Sequence, residues 1–188
     1  MLQLNVFESD KFIMITPHRQ ATRTLSHFFS PLMGTMSFQH GIPENREEVV
    51  GYTLACTIRN PYNRFVSIVY WLDYIEAIRD NTVEEYEEVC FDHLDYNYAN
   101  LDVDYWIRVE CIEEDLRSLP IVKDHPDVFS DDHFEQIFST NMYDSASLEG
   151  VERYYLKEEI ANRIYKEYKF VFDQFGYEKD SWKKLSKL

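Results

Sequence analysis

The sequence predicts an α/β fold: a central parallel sheet of about four or five strands, flanked by helices, in one domain spanning residues 1–188. Three observations point there. An apolar run, Phe12-Ile13-Met14-Ile15, leads through the turn Thr16-Pro17-His18-Arg19-Gln20 into a helical stretch, Ala21–Phe29. A second strand, Tyr52–Ile58, runs through Arg59-Asn60 into a helix opening at Pro61, where a missing N–H costs nothing. Helical apolar spacing recurs at Phe65, Ile68, Val69, Leu72 and Ile75, and again over Leu156–Phe175.

The first of these stretches has the layout of a phosphate site. The opening N–H groups of a helix lack partners within it, and its dipole is positive at that end. Arg19 and Arg23 add charge, and Thr22 and Thr24 add hydroxyl donors. The Gly-x-x-x-x-Gly-Lys-Ser/Thr loop of ATPases and kinases is absent, which argues against a kinase.

Composition sets the class. With 188 residues, 45% hydrophobic, 13 Phe and 14 Tyr, the chain can bury a sizeable core. No apolar run reaches the roughly 18 residues of a membrane span, and the start carries Glu8 and Asp10 in place of a basic leader. The expectation is a soluble, cytoplasmic protein. Three widely spaced cysteines, Cys56, Cys90 and Cys111, show no metal-ligand spacing and read as reduced thiols. The net charge is −15, yet residues 1–70 hold six Lys/Arg against five acids, so the remainder carries −16. Acidity of this order makes nucleic acid an unsuitable partner, since binding its backbone needs basic stripes.

Further elements follow in order. Residues 30–50 read as irregular, punctuated by Pro31, Gly34, Gly41 and Pro43. The helix from Pro61 is expected to reach about Arg79. Val83–Asp95 reads as an amphipathic helix with Val83, Tyr86, Val89, Cys90 and Leu94 inward. Tyr105–Glu110 reads as a strand and Cys111–Leu116 as a short helix. Loops and one short helix near His133–Phe138 are expected over residues 118–150, and one helix over Leu156–Phe175, stopped by Gly176.

The residues Arg59-Asn60-Pro61-Tyr62-Asn63-Arg64-Phe65-Val66-Ser67 resemble the Arg-Asn/Asp-Pro-x-x-Arg-x-x-Ser element of sulfotransferases that use 3'-phosphoadenosine 5'-phosphosulfate. The loop His18–Thr24 is similar to the family's phosphosulfate loop, with Arg19 where most members carry Lys and His18 where they carry Pro. Tyr168, Asp173, Phe175, Gly176 and Tyr177 resemble the family's closing pattern, with a different spacing between Tyr and Asp. The resemblance implies a sulfotransferase-like fold, related to that of P-loop NTPases, with the co-substrate at the strands' C-terminal ends.

It also implies roles. His18, Arg19, Gln20, Ala21, Thr22, Arg23 and Thr24 would hold the 5'-phosphosulfate, and Arg59 and Ser67 the 3'-phosphate. Arg19 would stabilise charge in the transition state, although a guanidinium is a poor proton donor. His40 stands where sugar-acting relatives place a catalytic base; otherwise it is an ordinary loop histidine. Glu110 either orients a neighbour or is a structural hydrogen-bonding residue. His27 reads as a surface or packing residue. The implied acceptor is a hydroxyl or amine compound such as a neutral sugar, lipid or small molecule, and no metal is required. The alternative is a non-catalytic nucleotide-binding or interaction module of the same fold, for which the altered His18-Arg19 loop speaks.

Overall fold

In the computed structural model, residues 2–40, 49–74, 83–139 and 156–187 are described. The chain divides into two compact units, Met1–Ile58 with Asn100–Asp144, and Arg59–Ala99 with Ser145–Leu188.

The first unit is α/β. Its strands are β1 (Leu2–Phe7), β2 (Phe12–Pro17), β3 (Met36–His40), β4 (Thr53–Ile58) and β5 (Tyr105–Arg108), in the spatial order β3-β1-β2-β4-β5. Strands β2, β4 and β5 are parallel neighbours, with Ile15 opposite Cys56 and Ile58 opposite Arg108. β2 is buried along its whole length, and β4 from Leu54 onward. Near-continuous apolar runs are what a strand covered on both faces requires.

Two corrections concern this sheet. It is mixed, because β1 runs antiparallel to both β2 and β3. And Phe12–Ile15 does not belong to the first strand, since β1 precedes it in a hairpin closed at Phe7 and Phe12. A four-residue connection, Glu8-Ser9-Asp10-Lys11, suits such a hairpin, and Lys11 takes the left-handed conformation at φ 49°. The signal was the alternation Leu2, Leu4, Val6 ahead of a polar turn.

Residues 30–40 are also more regular than punctuation implied. Ser30–Thr35 forms a 3-10 helix, and Met36–His40 pairs with β1 as an edge strand. Pro31 and Gly34 fit inside a 3-10 turn, so they mark its tightness rather than a loop. Residues 41–48 lie outside the described residues.

One face of the sheet carries α1 (Thr22–Phe28), α4 (Ile112–Ser118), α5 (Pro120–Asp124) and α6 (Asp131–Phe138). Phe7, Phe12, Met14 and Ala55 of the strands join Leu25 and Phe28 of α1, Leu116 of α4, Ile121 of α5 and Phe134 of α6 in one core. Phe28 is its hub, 4.9 Å from Phe129 and 5.0 Å from Phe134 between ring centres. The expected strand Tyr105–Glu110 ends earlier, at Arg108. There Asp115 of α4 accepts from the Arg108 backbone and guanidinium, and Val109–Cys111 turns into a 3-10 helix. α5 is an additional helix where a loop was expected; Pro120 at its first position supplies the starting φ. α6 falls where the sequence placed a short helix, with the Ser130 hydroxyl capping it by accepting from the His133 N–H.

The second unit is helical: α2 (Pro61–Tyr74), α3 (Val83–His93), α7 (Glu158–Glu167) and α8 (Lys169–Phe175), with 3-10 turns at Asn97–Asn100 and Ser181–Lys187. The expected continuation of α2 towards Arg79 lies outside the described residues, as do residues 140–155. Cys90 and Leu94 are buried as the periodicity required. The expected single helix Leu156–Phe175 is two. Tyr168, at φ −112° and ψ 24°, ends α7, and its ring packs 5.2 Å from that of Tyr96. Seating that ring interrupts the helical backbone although the apolar spacing continues through it. Gly176 then stops α8 in the left-handed conformation, with the Tyr177 N–H donating back to the Phe172 carbonyl, as in a Schellman closure.

No helix among the described residues is long and apolar enough to cross a membrane.

Candidate functional site

In the first unit the C-terminal ends of β2, β4 and β5 lie along one edge of the sheet, because these strands are parallel. The loop Pro17–Ala21 leaves β2 at that edge. Its Gln20 N–H donates to the Pro17 carbonyl at 3.2 Å, which closes a turn. Arg19 inside that turn has φ 63°, and Ala21, which precedes α1, has φ 62°. Two non-glycine residues in the left-handed region within three positions is unusual, and each costs about 1–2 kcal/mol. Strain of this kind collects at binding loops, where it holds backbone groups in one arrangement. No side chain among the described residues caps α1. Its first N–H groups therefore face outward from the helix start, with the half-buried Thr22 and Thr24 and the exposed Arg23 around them. His18 and Arg19 are half-buried, and Gln20 is fully buried.

Beneath this loop are two threonines that the motif reading passed over. Thr16 is 1% and Thr57 0% exposed, and neither hydroxyl has a hydrogen-bond partner among the described residues. Each sits at the C-terminal end of its strand, one residue past the paired Ile15 and Cys56. Alternation along β2 puts Thr16 on the face of Phe12 and Met14, and along β4 puts Thr57 on the face of Ala55. That is the face that carries α1. The sequence signal was there to read: a hydroxyl at the end of an otherwise apolar strand, in Ile15-Thr16-Pro17 and again in Cys56-Thr57-Ile58.

His40 comes to the same edge. Gln3 of β1 pairs with His40 on one side and with Thr16 on the other. Two strand spacings, about 10 Å, therefore separate the backbones of His40 and Thr16. The histidine ends an edge strand, a correction to its expected place in an irregular loop.

The second unit carries the other motif. Arg59 follows β4 directly and is half-buried; its carbonyl accepts from the Tyr96 hydroxyl at 2.8 Å. Asn60 starts α2: its side-chain oxygen accepts from the Tyr62 N–H at 2.9 Å, and its amide donates to the Ser181 hydroxyl at 3.1 Å. Ser67 is buried, about 9 Å further along α2 than Pro61. Arg64 has a structural role. It is 2% exposed, donates to the Asp95 carbonyl at 2.7 Å and the Tyr98 hydroxyl at 2.9 Å, and lies 4.7 Å from the centre of the Tyr96 ring. An internal arginine of the motif thus fastens α2 to the turn at residues 95–98.

Three other histidines, His27, His125 and His133, belong to the first unit. His133 donates from Nε2 to the Phe28 carbonyl at 2.8 Å, and His125 donates from Nε2 to Asp10 at 2.5 Å. His27 is exposed and Glu110 is exposed. Among the described residues no group of three or more His, Cys, Asp or Glu could hold a metal ion. The edge of the first unit brings together a strained turn at Arg19 and Ala21, the start of α1 without a side-chain cap, and two buried threonine hydroxyls. No protein-family model matches this chain, and neither the curated proteins nor the solved structures contain a match to it.

Proposed function

We propose that this chain is a sulfotransferase that moves a sulfuryl group from 3'-phosphoadenosine 5'-phosphosulfate to a hydroxyl or amine acceptor. The observation that carries this reading is the loop Pro17–Ala21, left-handed at Arg19 and Ala21, at the C-terminal end of β2. The order of motifs supports it further. The parallel neighbour β4 runs directly into Arg59 and the Pro61 helix start, the second element of the family resemblance.

In this mechanism the loop residues 18–24 hold the 5'-phosphosulfate, and Arg59 and Ser67 hold the 3'-phosphate. The acceptor oxygen attacks sulfur and forms a new S–O bond. The bond from sulfur to the bridging oxygen breaks, and its electron pair leaves with adenosine 3',5'-bisphosphate. His40 takes the acceptor's hydroxyl proton. Arg19 stabilises the charge that develops on the bridging and sulfuryl oxygens, without giving up a proton.

The second reading, a nucleotide-binding module without turnover, is favoured by that same arginine, because it removes the general acid that a lysine could provide. Release of adenosine 3',5'-bisphosphate from the phosphosulfate in the presence of a panel of sugar, lipid and small hydroxyl acceptors separates the two. Acceptor-dependent release is expected. Tight binding of the bisphosphate with no release on any acceptor class favours the module, and absence of binding removes both.

A further inference from the structure

The two buried threonine hydroxyls have no task in the mechanism above. Burying a hydroxyl without a partner is unfavourable, so a native fold keeps one only where something compensates. Among the described residues Thr16 and Thr57 are two such hydroxyls, on neighbouring parallel strands, on one face, near the strands' C-terminal ends. Thr57 is buried in the middle of the parallel run, flanked by β2 and β5, with Ile107 as its register partner on β5. Valine has nearly the same shape and would leave no hydroxyl to satisfy at either position.

We propose that Thr16 and Thr57 form the inner wall of the anion site, donating hydroxyl hydrogens to oxygens of a tetrahedral sulfate or phosphate group. This rests on the reading of the loop as the phosphosulfate site and extends it with two ligands outside the loop. Hydroxyls add donors without adding charge, so the wall suits the singly charged sulfuryl end of the phosphosulfate, while the charge of the phosphate groups is met by arginine. Both threonines are closed to solvent in the present conformation, so ligand contact requires the strand-end segment Pro17–Ala21 to shift.

The test uses Thr16→Val, Thr57→Val and the double variant, with Thr16→Ser and Thr57→Ser as controls that keep the hydroxyl. Each is measured for thermal stability without ligand and for binding of inorganic sulfate, inorganic phosphate and adenosine 3',5'-bisphosphate. The valine variants are expected to be as stable as the parent or more so, since an unpaired buried hydroxyl is removed. They are expected to bind the anions roughly tenfold or more weakly per hydroxyl, with the serine variants near the parent. Unchanged anion affinity in both valine variants overturns the inference, as does a loss of stability in them, which would mean that the hydroxyls serve the fold. A parent protein that binds none of the three probes overturns it too. If sulfate binds in a threonine-dependent manner and the nucleotide does not, the anion wall stands while the nucleotide reading fails. If the nucleotide binds and the threonines do not matter, the reverse holds.

Discussion

Asp115 of α4 takes hold of Arg108 at three points: one carboxylate oxygen accepts from the Arg108 backbone N–H at 2.8 Å and from Nε at 3.0 Å, and the other accepts from Nη2 at 2.8 Å. The pair ends β5 and fixes where α4 begins. The carboxylate is 13% exposed and the guanidinium 40%, so the ionic part is screened and the hydrogen bonds dominate. Asp115→Ala is therefore expected to lower unfolding free energy by about 1–3 kcal/mol, and Asp115→Asn by less, since an amide oxygen still accepts. Urea denaturation measures both; an unchanged midpoint for the alanine variant ends the anchoring role.

A second contact gives a pH dependence. Burial pushes the Asp10 carboxyl up, but hydrogen bonds from His125 and Ser9, with the His125 charge, outweigh this and hold it below the usual carboxylate range. A carboxyl whose folded pKa is depressed contributes stability that is present above its unfolded pKa of about 3.9 and lost as pH falls through the folded value. Stability should thus decline below about pH 4 in part through this group. Asp10→Asn should flatten that decline and lower stability near neutrality by about 1–2 kcal/mol. Equal acid sensitivity in parent and variant would show that other carboxyls govern it.

Arg59→Ala tests the 3'-phosphate assignment. Affinity for adenosine 3',5'-bisphosphate is expected to fall by about 2–4 kcal/mol, the scale of a partner removed from a charged group. Adenosine 5'-phosphate, which lacks the 3' group, should feel little. Isothermal titration of both nucleotides decides; equal losses sink the assignment.

His40→Ala tests the base. Turnover should fall by roughly 10²–10⁴-fold with bisphosphate affinity intact. Near-normal turnover on a saturating acceptor would place the base elsewhere.

Arg19 separates charge stabilisation from binding. Arg19→Ala should cost turnover more than nucleotide affinity, because the loop N–H groups and the hydroxyls of Thr22 and Thr24 remain. Arg19→Lys should retain much of the activity and add a fall in rate at high pH, as the lysine deprotonates. Wild-type turnover in Arg19→Ala would remove Arg19 from the mechanism and favour the binding module.

The strand-to-helix turns of the candidate site were legible because they are local. The run Phe12–Ile15 with the turn after it, and Ile58–Pro61 with the helix after that, are contiguous in sequence, so residue types alone announce a strand end and a helix start. Arg64 shows the limit. Its spacing from Arg59 fits the motif, yet what it touches is Asp95 and Tyr98, about thirty residues away, and no periodicity reports such a partner. Tyr168 shows another: apolar spacing continues through it, while its ring, packed on Tyr96, breaks the backbone there.

By itself the sequence determined the alternation of strands and helices, the apolar cores of β2 and β4, the start of α2 at Pro61 and the stop at Gly176. Each of these follows from side-chain period or from backbone freedom at a single residue, and both are local properties. Only the tertiary structure decided that β1 runs antiparallel within the sheet, that β3 brings His40 to the same edge as the loop, and that Thr16 and Thr57 end up side by side with no hydroxyl partner among the described residues. Strand pairing is a choice among distant segments made by the burial of the whole sheet, and a hydroxyl's lack of a partner depends on every neighbour that could have offered one.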